Sequence, residues 1–135
     1  MVADVASRFG VAWLVLCAAF AIHVVDEALT DFLSVYNPAV RAIRTRFRFF
    51  PLPTFTFRVW LTGLVVAVLV LASLTPFAFR GAAWMKPLGY AFGLIMAGNG
   101  LLHLVGSVYM RRPMPGVYSA PLILAAALYL LMSIP

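Results

Sequence analysis

The side chains of this sequence that could do chemistry gather around two histidines. His23 is followed within eight residues by three of the chain's four acids, Asp26, Glu27 and Asp31. On a helix, His23, Asp26 and Glu27 lie along one stripe, because residues three and four positions apart share a face. Imidazole and carboxylate groups bind metals, form ion pairs and transfer protons. The spacing therefore predicts a polar site beside His23.

A second polar pair, Asn99 and His103, stands four residues apart on a later apolar segment. Three kinds of cation would balance the carboxylates beside His23. A metal ion would take both imidazoles, one or two carboxylates and Asn99, with a position left for water as in catalytic zinc or mononuclear iron sites. An arginine of the loop that follows would give a structural ion pair, and a proton would pass between imidazole and carboxylate. The spacing leaves all three open.

The composition indicates what surrounds these groups. Of the 135 residues, 64% are hydrophobic and 10% are charged, whereas globular proteins have about 45–50% apolar and about 25% charged residues. A small soluble domain cannot bury so much apolar surface. The composition excludes an ordinary soluble protein, a disordered chain and, since Cys17 is the only cysteine, a disulfide scaffold. We expect a single membrane domain over residues 1–135.

Four stretches free of Asp, Glu, Lys and Arg approach or exceed the length of about 20 residues that crosses a hydrocarbon core of about 30 Å. They predict an all-α, polytopic membrane protein with a four-helix transmembrane bundle. The first helix runs past Asp26 and Glu27, and Asn37-Pro38 is the next stop signal, because a residue before proline is disfavoured in a helix. The predicted spans are approximately 9–33, 57–79, 87–110 and 116–134.

Small and aromatic residues predict how these spans pack. Gly89, Gly93 and Ala97 form a row at four-residue spacing on the third span, and such rows let helix backbones approach closely. We expect this row to pack within the bundle rather than to form a dimer. The three tryptophans, Trp13, Trp60 and Trp84, are expected at the headgroup levels as membrane anchors.

The segment between the first two spans is strongly basic. From Pro38 to Arg58 it contains five arginines and no acid. Apolar side chains recur there at helical spacing, which predicts a short amphipathic helix at approximately 38–50, lying in the headgroup region. The alternative is a solvated loop whose arginines only set the topology. The apolar positions are Val40, Ile43, Phe47 and Phe50.

The distribution of basic residues predicts the orientation. The loops after the first and third spans hold five arginines together with Arg111 and Arg112, whereas the opposite side holds Arg8, Arg80 and Lys86. Because basic residues are enriched in cytoplasmic loops, this bias predicts that the loops after the first and third spans are cytoplasmic. Both termini are then expected outside. No nucleic-acid-binding pattern accompanies the net charge of +6, so nucleic acid is rejected as a partner.

The depths of the two histidines match. His23 precedes Asp31 by eight residues, and His103 precedes Arg111 by eight residues. With those charges at the interface, each histidine lies roughly 12 Å inside it along a helix. An aspartate at the membrane centre costs about 2.5–3.5 kcal/mol, so intramembrane ionisable residues are expected to face a partner or a cavity. Since the first and third spans cross in the same direction, we predict that the two groups meet.

The segment His23 to Glu27, with the sequence HVVDE, resembles the motif that names the HXXEE family of small bacterial membrane proteins. The resemblance extends to Asn37-Pro38, to Asn99 and His103, and to the Arg-Arg and Pro-Gly pairs before the last apolar segment. Asp26 stands where the family has its first glutamate, which shortens the reach of that carboxylate. The resemblance implies a four-helix bundle in a bacterial inner membrane and strengthens the pairing of His23 and Glu27 with His103. It implies no reaction.

The leading hypothesis is a metal-dependent integral membrane enzyme, of hydrolase or oxidase type, that acts on a lipid-like or apolar substrate entering between helices. A zinc or iron ion would be held by four side chains: His23, Glu27, His103 and Asn99. Glu27 and Asp26 would supply the catalytic carboxylates. Hydrolysis would need a metal that lowers the pKa of water, and oxidation would need an open iron site.

Two hypotheses of other classes stay beside it. The chain would be a non-catalytic membrane subunit or small-molecule-binding module whose His, Asp, Glu and Asn cluster is a structural polar network. Alternatively it would be a proton-coupled transporter, a role that its small size favours only in an oligomer. The expected partners are membrane lipids, with a lipid-like substrate and an oligomer or partner subunit as further expectations.

Overall fold

The computed structural model describes the backbone of residues 2–135 and the side chains of residues 4–135. Within that part of the chain every regular element is helical, which confirms the predicted all-α class. The six helices are α1 (Val2–Leu29), α2 (Leu33–Arg46), α3 (Phe57–Ser73), α4 (Thr75–Phe79), α5 (Met85–Met110) and α6 (Ala120–Ser133).

Three helical segments are long and apolar enough to cross a membrane: Asp4–Leu29, Phe57–Phe79 and Met85–Met110. The second of these comprises α3 and α4, which are separated at Leu74. Pro76 follows two residues later and has no N–H to continue the helical hydrogen bonds. The last helix, α6, is apolar but has 14 residues, or about 21 Å. It begins later than the predicted position 116, because the chain first makes a turn at Gly116 with φ +85°.

The core lies where α1, α5 and α6 meet. Trp13 of α1 is fully buried, packs edge-on against Phe92 of α5 with ring centroids 5.3 Å apart, and donates from its Nε1 to the Leu71 carbonyl oxygen at 2.9 Å. The expectation that Trp13 anchors the chain at a headgroup level is therefore wrong. Trp60 is also buried, and Trp84 is half exposed. Whether a tryptophan is buried depends on whether its face of the helix contacts a neighbouring helix. The position of the residue along the span does not show which face that is.

The row of small residues on α5 brings that helix close to its neighbours. A Cβ atom added at Gly93 would lie 2.8 Å from the Leu131 side chain of α6, and one at Gly89 would lie 3.1 Å from Phe9 of α1. Farther along α5, a Cβ atom at Gly100 would lie 3.0 Å from the Ala120 carbonyl oxygen. The expectation that the row packs within the bundle is confirmed at Gly89 and Gly93.

The connection from α1 to α2 differs from the sequence prediction. The first helix ends at Leu29, because Asp31 adopts a left-handed conformation with φ +57° and the Phe32 N–H bonds to the Glu27 carbonyl oxygen at 3.0 Å. The next helix starts at Leu33 and runs through Pro38. The predicted stop at Asn37-Pro38 and the predicted start of a helix at 38 are therefore wrong.

The position of Pro38 explains why α2 tolerates it. Proline removes the N–H that would bond to the carbonyl four residues earlier, which belongs to Ser34. Both residues are exposed, so this carbonyl oxygen can bond to water instead. The helix ends at Arg46, where Phe47 turns to an extended conformation, and not at the predicted position 50.

Candidate functional site

Two helices bring three potential ligands together in the interior. His23 and Glu27 lie one turn apart on α1, and His103 lies on α5. Glu27 Oε1 is 3.0 Å from His103 Nε2 and 3.5 Å from His23 Nε2, and one ligand atom from each residue lies within 4.8 Å of the others. Both histidines are fully buried and Glu27 is 5% exposed. We call this set the His-Glu-His cluster.

Two distances within the cluster, those from Glu27 Oε1 to the two histidine Nε2 atoms, suit a metal ion. In a tetrahedral site with bonds of 2.0–2.1 Å, neighbouring ligand atoms are about 3.3 Å apart, which lies between the two distances from Glu27 Oε1. Neither histidine Nε2 is aligned for a hydrogen bond with any described residue, although both contact the carboxylate. A metal ion held between the three side chains would take up the lone pairs of both nitrogen atoms.

Ser119 fixes the orientation of His23 from the other side of the ring. His23 Nδ1 is 2.7 Å from Ser119 Oγ, which donates to Asp26 Oδ2 at 2.7 Å. A serine hydroxyl has one hydrogen, and a carboxylate only accepts, so His23 Nδ1 must donate to Ser119 Oγ. In the neutral imidazole, this leaves the Nε2 lone pair free toward the cluster, as metal-ligating histidines require.

The turn before α6 closes the cluster. A Cβ atom added at Gly116 would lie 2.7 Å from His103 Cε1 and 2.9 Å from Glu27 Cγ, so only glycine fits. Such irregular backbone is tolerated inside a membrane protein only when its polar groups are satisfied. Three of its N–H groups donate to side chains outside the turn. The Gly116 N–H donates to Thr30 Oγ1 at 2.9 Å, just after α1, the Ser119 N–H to Asp26 Oδ2 of α1 at 2.8 Å, and the Met114 N–H to Ser107 Oγ of α5 at 2.9 Å.

Phe32 covers the cluster on the side of α2 and α3. Its ring centroid is 5.5 Å from that of His103 and 6.1 Å from that of Trp60 on α3. The left-handed Asp31 places Phe32 here, because it redirects the chain directly before Phe32, after α1 has ended at Leu29. The Phe32 ring therefore contacts both His103 of α5 and Trp60 of α3.

The structure brings together most of the predicted site residues. His23, Glu27 and His103 form the cluster, and Asp26 lies beside it through Ser119. Asn99 is half-buried one turn before His103 on α5. Its role as a ligand stays a prediction.

The alternative of an arginine ion pair is not observed among the described side chains. Among the side chains of residues 4–135, no lysine or arginine nitrogen lies within 4.0 Å of a carboxylate oxygen. Arg44 of α2 instead donates to the Leu52 carbonyl oxygen at 2.5 Å. Of the three cations that the spacing allows, a metal ion and a proton are therefore the ones left for Glu27.

Sequence reasoning missed Ser119 and the closing role of Gly116. In the sequence the Pro-Gly pair is named only as part of the resemblance, and no motif singles out Ser119. The available signal was the order of the chain, because the turn follows α5 directly and leads back toward α1. A serine and a glycine in a turn that leads back toward α1 are candidates for such contacts.

Comparison with known proteins gives one match. The sequence model of the HXXEE family, described as a protein of unknown function with HXXEE motif, matches residues 13–130. The matched region includes every residue of the cluster together with Ser119. No curated protein and no solved structure matches the chain.

Proposed function

The chain belongs to the HXXEE family, and from the geometry of its site we propose that it is a metal-dependent integral membrane enzyme acting on a lipid-like or apolar substrate. The observation that carries this proposal is the convergence of three ligand atoms, two of them without hydrogen-bond partners, in a fully buried cluster. Buried nitrogen atoms left without partners cost about 1–3 kcal/mol each. A bound ion removes this cost, which favours a metal site over a vacant polar network.

Each residue has a separate role in this proposal. His23, Glu27 and His103 hold a zinc or iron ion, and three protein ligands leave a position open, as in catalytic sites. The ion would supply Lewis acidity for hydrolysis or, as iron, an open site for oxidation. Asp26 was predicted as a catalytic carboxylate, but its bond to Ser119 favours a positioning role. Asn99 is the candidate for a further ligand.

The arrangement in the membrane is part of the same proposal. We infer four spans, with α6 as the short fourth helix packed against α5, and α2 in the headgroup region. The seven arginines on one side, against three basic residues on the other, favour both termini outside in a bacterial inner membrane. The apolar surroundings of the cluster favour an apolar substrate over a water-soluble one.

Elemental analysis of the purified wild-type protein tests the metal site. We expect one zinc or iron ion per chain after purification without chelators, and less than about a tenth of that in His103→Ala, because two ligands hold a divalent ion poorly. Leu104→Ala, one residue further on the same helix, is the control and keeps its ion. A wild-type protein without stoichiometric metal would contradict the proposal.

The second candidate is the structural polar network. The direct contact of 3.0 Å between Glu27 Oε1 and His103 Nε2 favours it, because a proton on that nitrogen would make an ion pair. In that case the wild-type protein holds no metal, and His103→Ala lowers the thermal unfolding midpoint without changing any metal content.

Ser119 gives a prediction about the strength of metal binding. Ser119→Ala removes the acceptor of the His23 Nδ1–H, so the imidazole loses its fixed tautomer and orientation. We expect affinity for zinc to fall about 10–100-fold, as for outer-shell partners of other metal sites. Competition with a chelator of known affinity measures the change. Ser133→Ala is the matched control, since Ser133 is also buried on α6 but bonds only to the Tyr129 carbonyl oxygen; an equal loss in both variants would contradict the role of Ser119.

A further inference from the structure

The His-Glu-His cluster is closed in this structure. Both histidines are fully buried, and Glu27 is 5% exposed. A catalytic ion held there would need its open position to meet a substrate. One of the groups that surround the cluster must therefore move before a substrate reaches it.

The turn before α6 is unsuited to this motion. The Gly116 N–H donates to Thr30 Oγ1 at 2.9 Å, and both the N–H and the hydroxyl of Ser119 donate to Asp26 Oδ2. Moving the turn would break these bonds and leave polar groups without partners in an apolar interior, which is costly. The turn is therefore expected to stay in place while a substrate enters.

Phe32 is held differently, because its side chain has no polar atom. The ring centroid lies 5.5 Å from that of His103 and 6.1 Å from that of Trp60, and the residue is half-buried. Its backbone is fixed at both ends: the N–H donates to the Glu27 carbonyl oxygen and the carbonyl oxygen accepts from the Tyr36 N–H, each at 3.0 Å. A movement of Phe32 is therefore a rotation of its side chain between staggered rotamers.

The space for this rotation lies beside the ring. A groove of about 300 Å³ between α2 and α3 is lined by Phe32 itself, and by Trp60, Gly63 and Leu64 of α3. The last two residues lie three and four positions after Trp60, so all three share one helix face. A Cβ atom added at Gly63 would meet nothing within 4 Å. A ring that turns away from His103 toward Gly63 therefore enters open space.

Hydrogen bonds on the far side keep this groove from closing. Tyr36 Oη donates to the Pro53 carbonyl oxygen at 3.0 Å. The Asn37 side chain pairs with the backbone of Phe55 in both directions, donating at 2.9 Å and accepting at 3.0 Å. The rings of Tyr36 and Phe55 also stack, with centroids 5.9 Å apart. The segment before α3 is therefore fastened to α2, and the space beside Phe32 is maintained.

We propose that Phe32 is the gate of the His-Glu-His cluster. In the open state its ring occupies the groove at Gly63, and the position that it leaves gives access to His103. Because this position is bordered by the aromatic side chains of Tyr36 and Trp60, the gate favours uncharged, apolar molecules. As a statement about substrate class, the gate rests on the proposed function. As a statement about access, it is measured without any metal.

The rate of chemical modification of His103 measures the gate. Diethylpyrocarbonate is a small, uncharged reagent that acylates neutral imidazole. The chain has two histidines, which lie on separate tryptic fragments, so mass spectrometry assigns each modification. The reaction is followed on folded protein in detergent after treatment with a chelator.

Phe32→Ala removes the gate. We expect His103 to react at least about tenfold faster than in the wild type, because a minor open state with a population on the order of 10% or less becomes permanent. Phe57→Ala is the matched control and keeps the wild-type rate, since the Phe57 ring also packs against Trp60, at 5.9 Å, but belongs to α3. If Phe32→Ala does not fold, Phe32→Leu takes its place with the same expected direction.

Gly63→Leu fills the space into which the ring turns. We expect His103 to react roughly tenfold more slowly, since overpacking the open state lowers its population. Gly98→Leu is the matched control and keeps the wild-type rate, because Gly98 lies on α5 in equally open space outside the groove. In the Phe32→Ala background, Gly63→Leu is expected to have no effect, because no ring is left to displace.

Three results would overturn the gate. They are a folded Phe32 variant that reacts no faster than the wild type, a folded Gly63→Leu protein with the wild-type rate, and a slowing by Gly63→Leu that persists in the Phe32→Ala background. The last would mean that the new side chain obstructs the reagent itself. Metal content is measured on the untreated wild-type protein. A gate without metal would contradict the metal-dependent enzyme only, whereas metal with any of these three results would contradict the gate only.

Discussion

Replacing Glu27 by glutamine is expected to abolish metal binding, whereas replacing the adjacent Asp26 by asparagine leaves one ion per chain. Glu27 Oε1 lies between the two histidine Nε2 atoms, so Glu27→Gln replaces a charged ligand by a weak one. Asp26 Oδ2 instead accepts from the Ser119 hydroxyl and N–H. An asparagine oxygen can accept the same two bonds, so Asp26→Asn keeps the turn and the ligands in place.

The expected sizes of the two effects differ. For Glu27→Gln we expect a loss of more than about a hundredfold in zinc affinity, and for Asp26→Asn a loss within the 10–100-fold range of outer-shell partners. Elemental analysis and chelator competition measure both variants. Asp31→Asn is the control, because Asp31 is exposed and asparagine tolerates its left-handed backbone. Equal losses in the Asp26 and Glu27 variants would contradict the separation of their roles.

Replacing Gly116 by alanine is expected to cause a large loss of stability. The residue has φ +85°, and its added Cβ atom would meet His103 and Glu27 at 2.7 and 2.9 Å. The left-handed backbone costs about 1–2 kcal/mol and overpacking costs about 1–3 kcal/mol more. The methyl group also pushes on two proposed ligands, so metal affinity falls together with stability.

Thermal unfolding in detergent measures the loss at Gly116. We expect the midpoint to fall by roughly 8 °C or more, since 1 kcal/mol corresponds to about 4 °C for a domain of this size. Gly98→Ala is the matched control, because Gly98 is helical and open to its surroundings. There the substitution is expected to stabilise the helix by about 0.5–1 kcal/mol. A Gly116→Ala protein as stable as the wild type would show that the turn lies farther from the cluster.

The amino-acid sequence by itself determined the all-α class, the three longest apolar segments and the polar stripe of His23, Asp26 and Glu27. These features are local: apolar content adds along the chain, and helical periodicity places residues three and four apart on one face. The matching depths of His23 and His103 also followed from counting residues. In the structure both histidines contact Glu27, which agrees with the prediction that the two polar groups meet.

Only the tertiary structure decided which acid joins the cluster and what closes it. Ser119 is 96 residues from His23 and 93 residues from Asp26 in the chain, so no local pattern assigns one acid to the serine and its neighbour to the histidines. The helix break at Asp31 instead of Asn37-Pro38 likewise brings Phe32 against His103 and Trp60 on other helices. The left-handed backbone of Asp31 and the buried turn at Gly116 are locally unfavourable, and contacts between distant segments stabilise them.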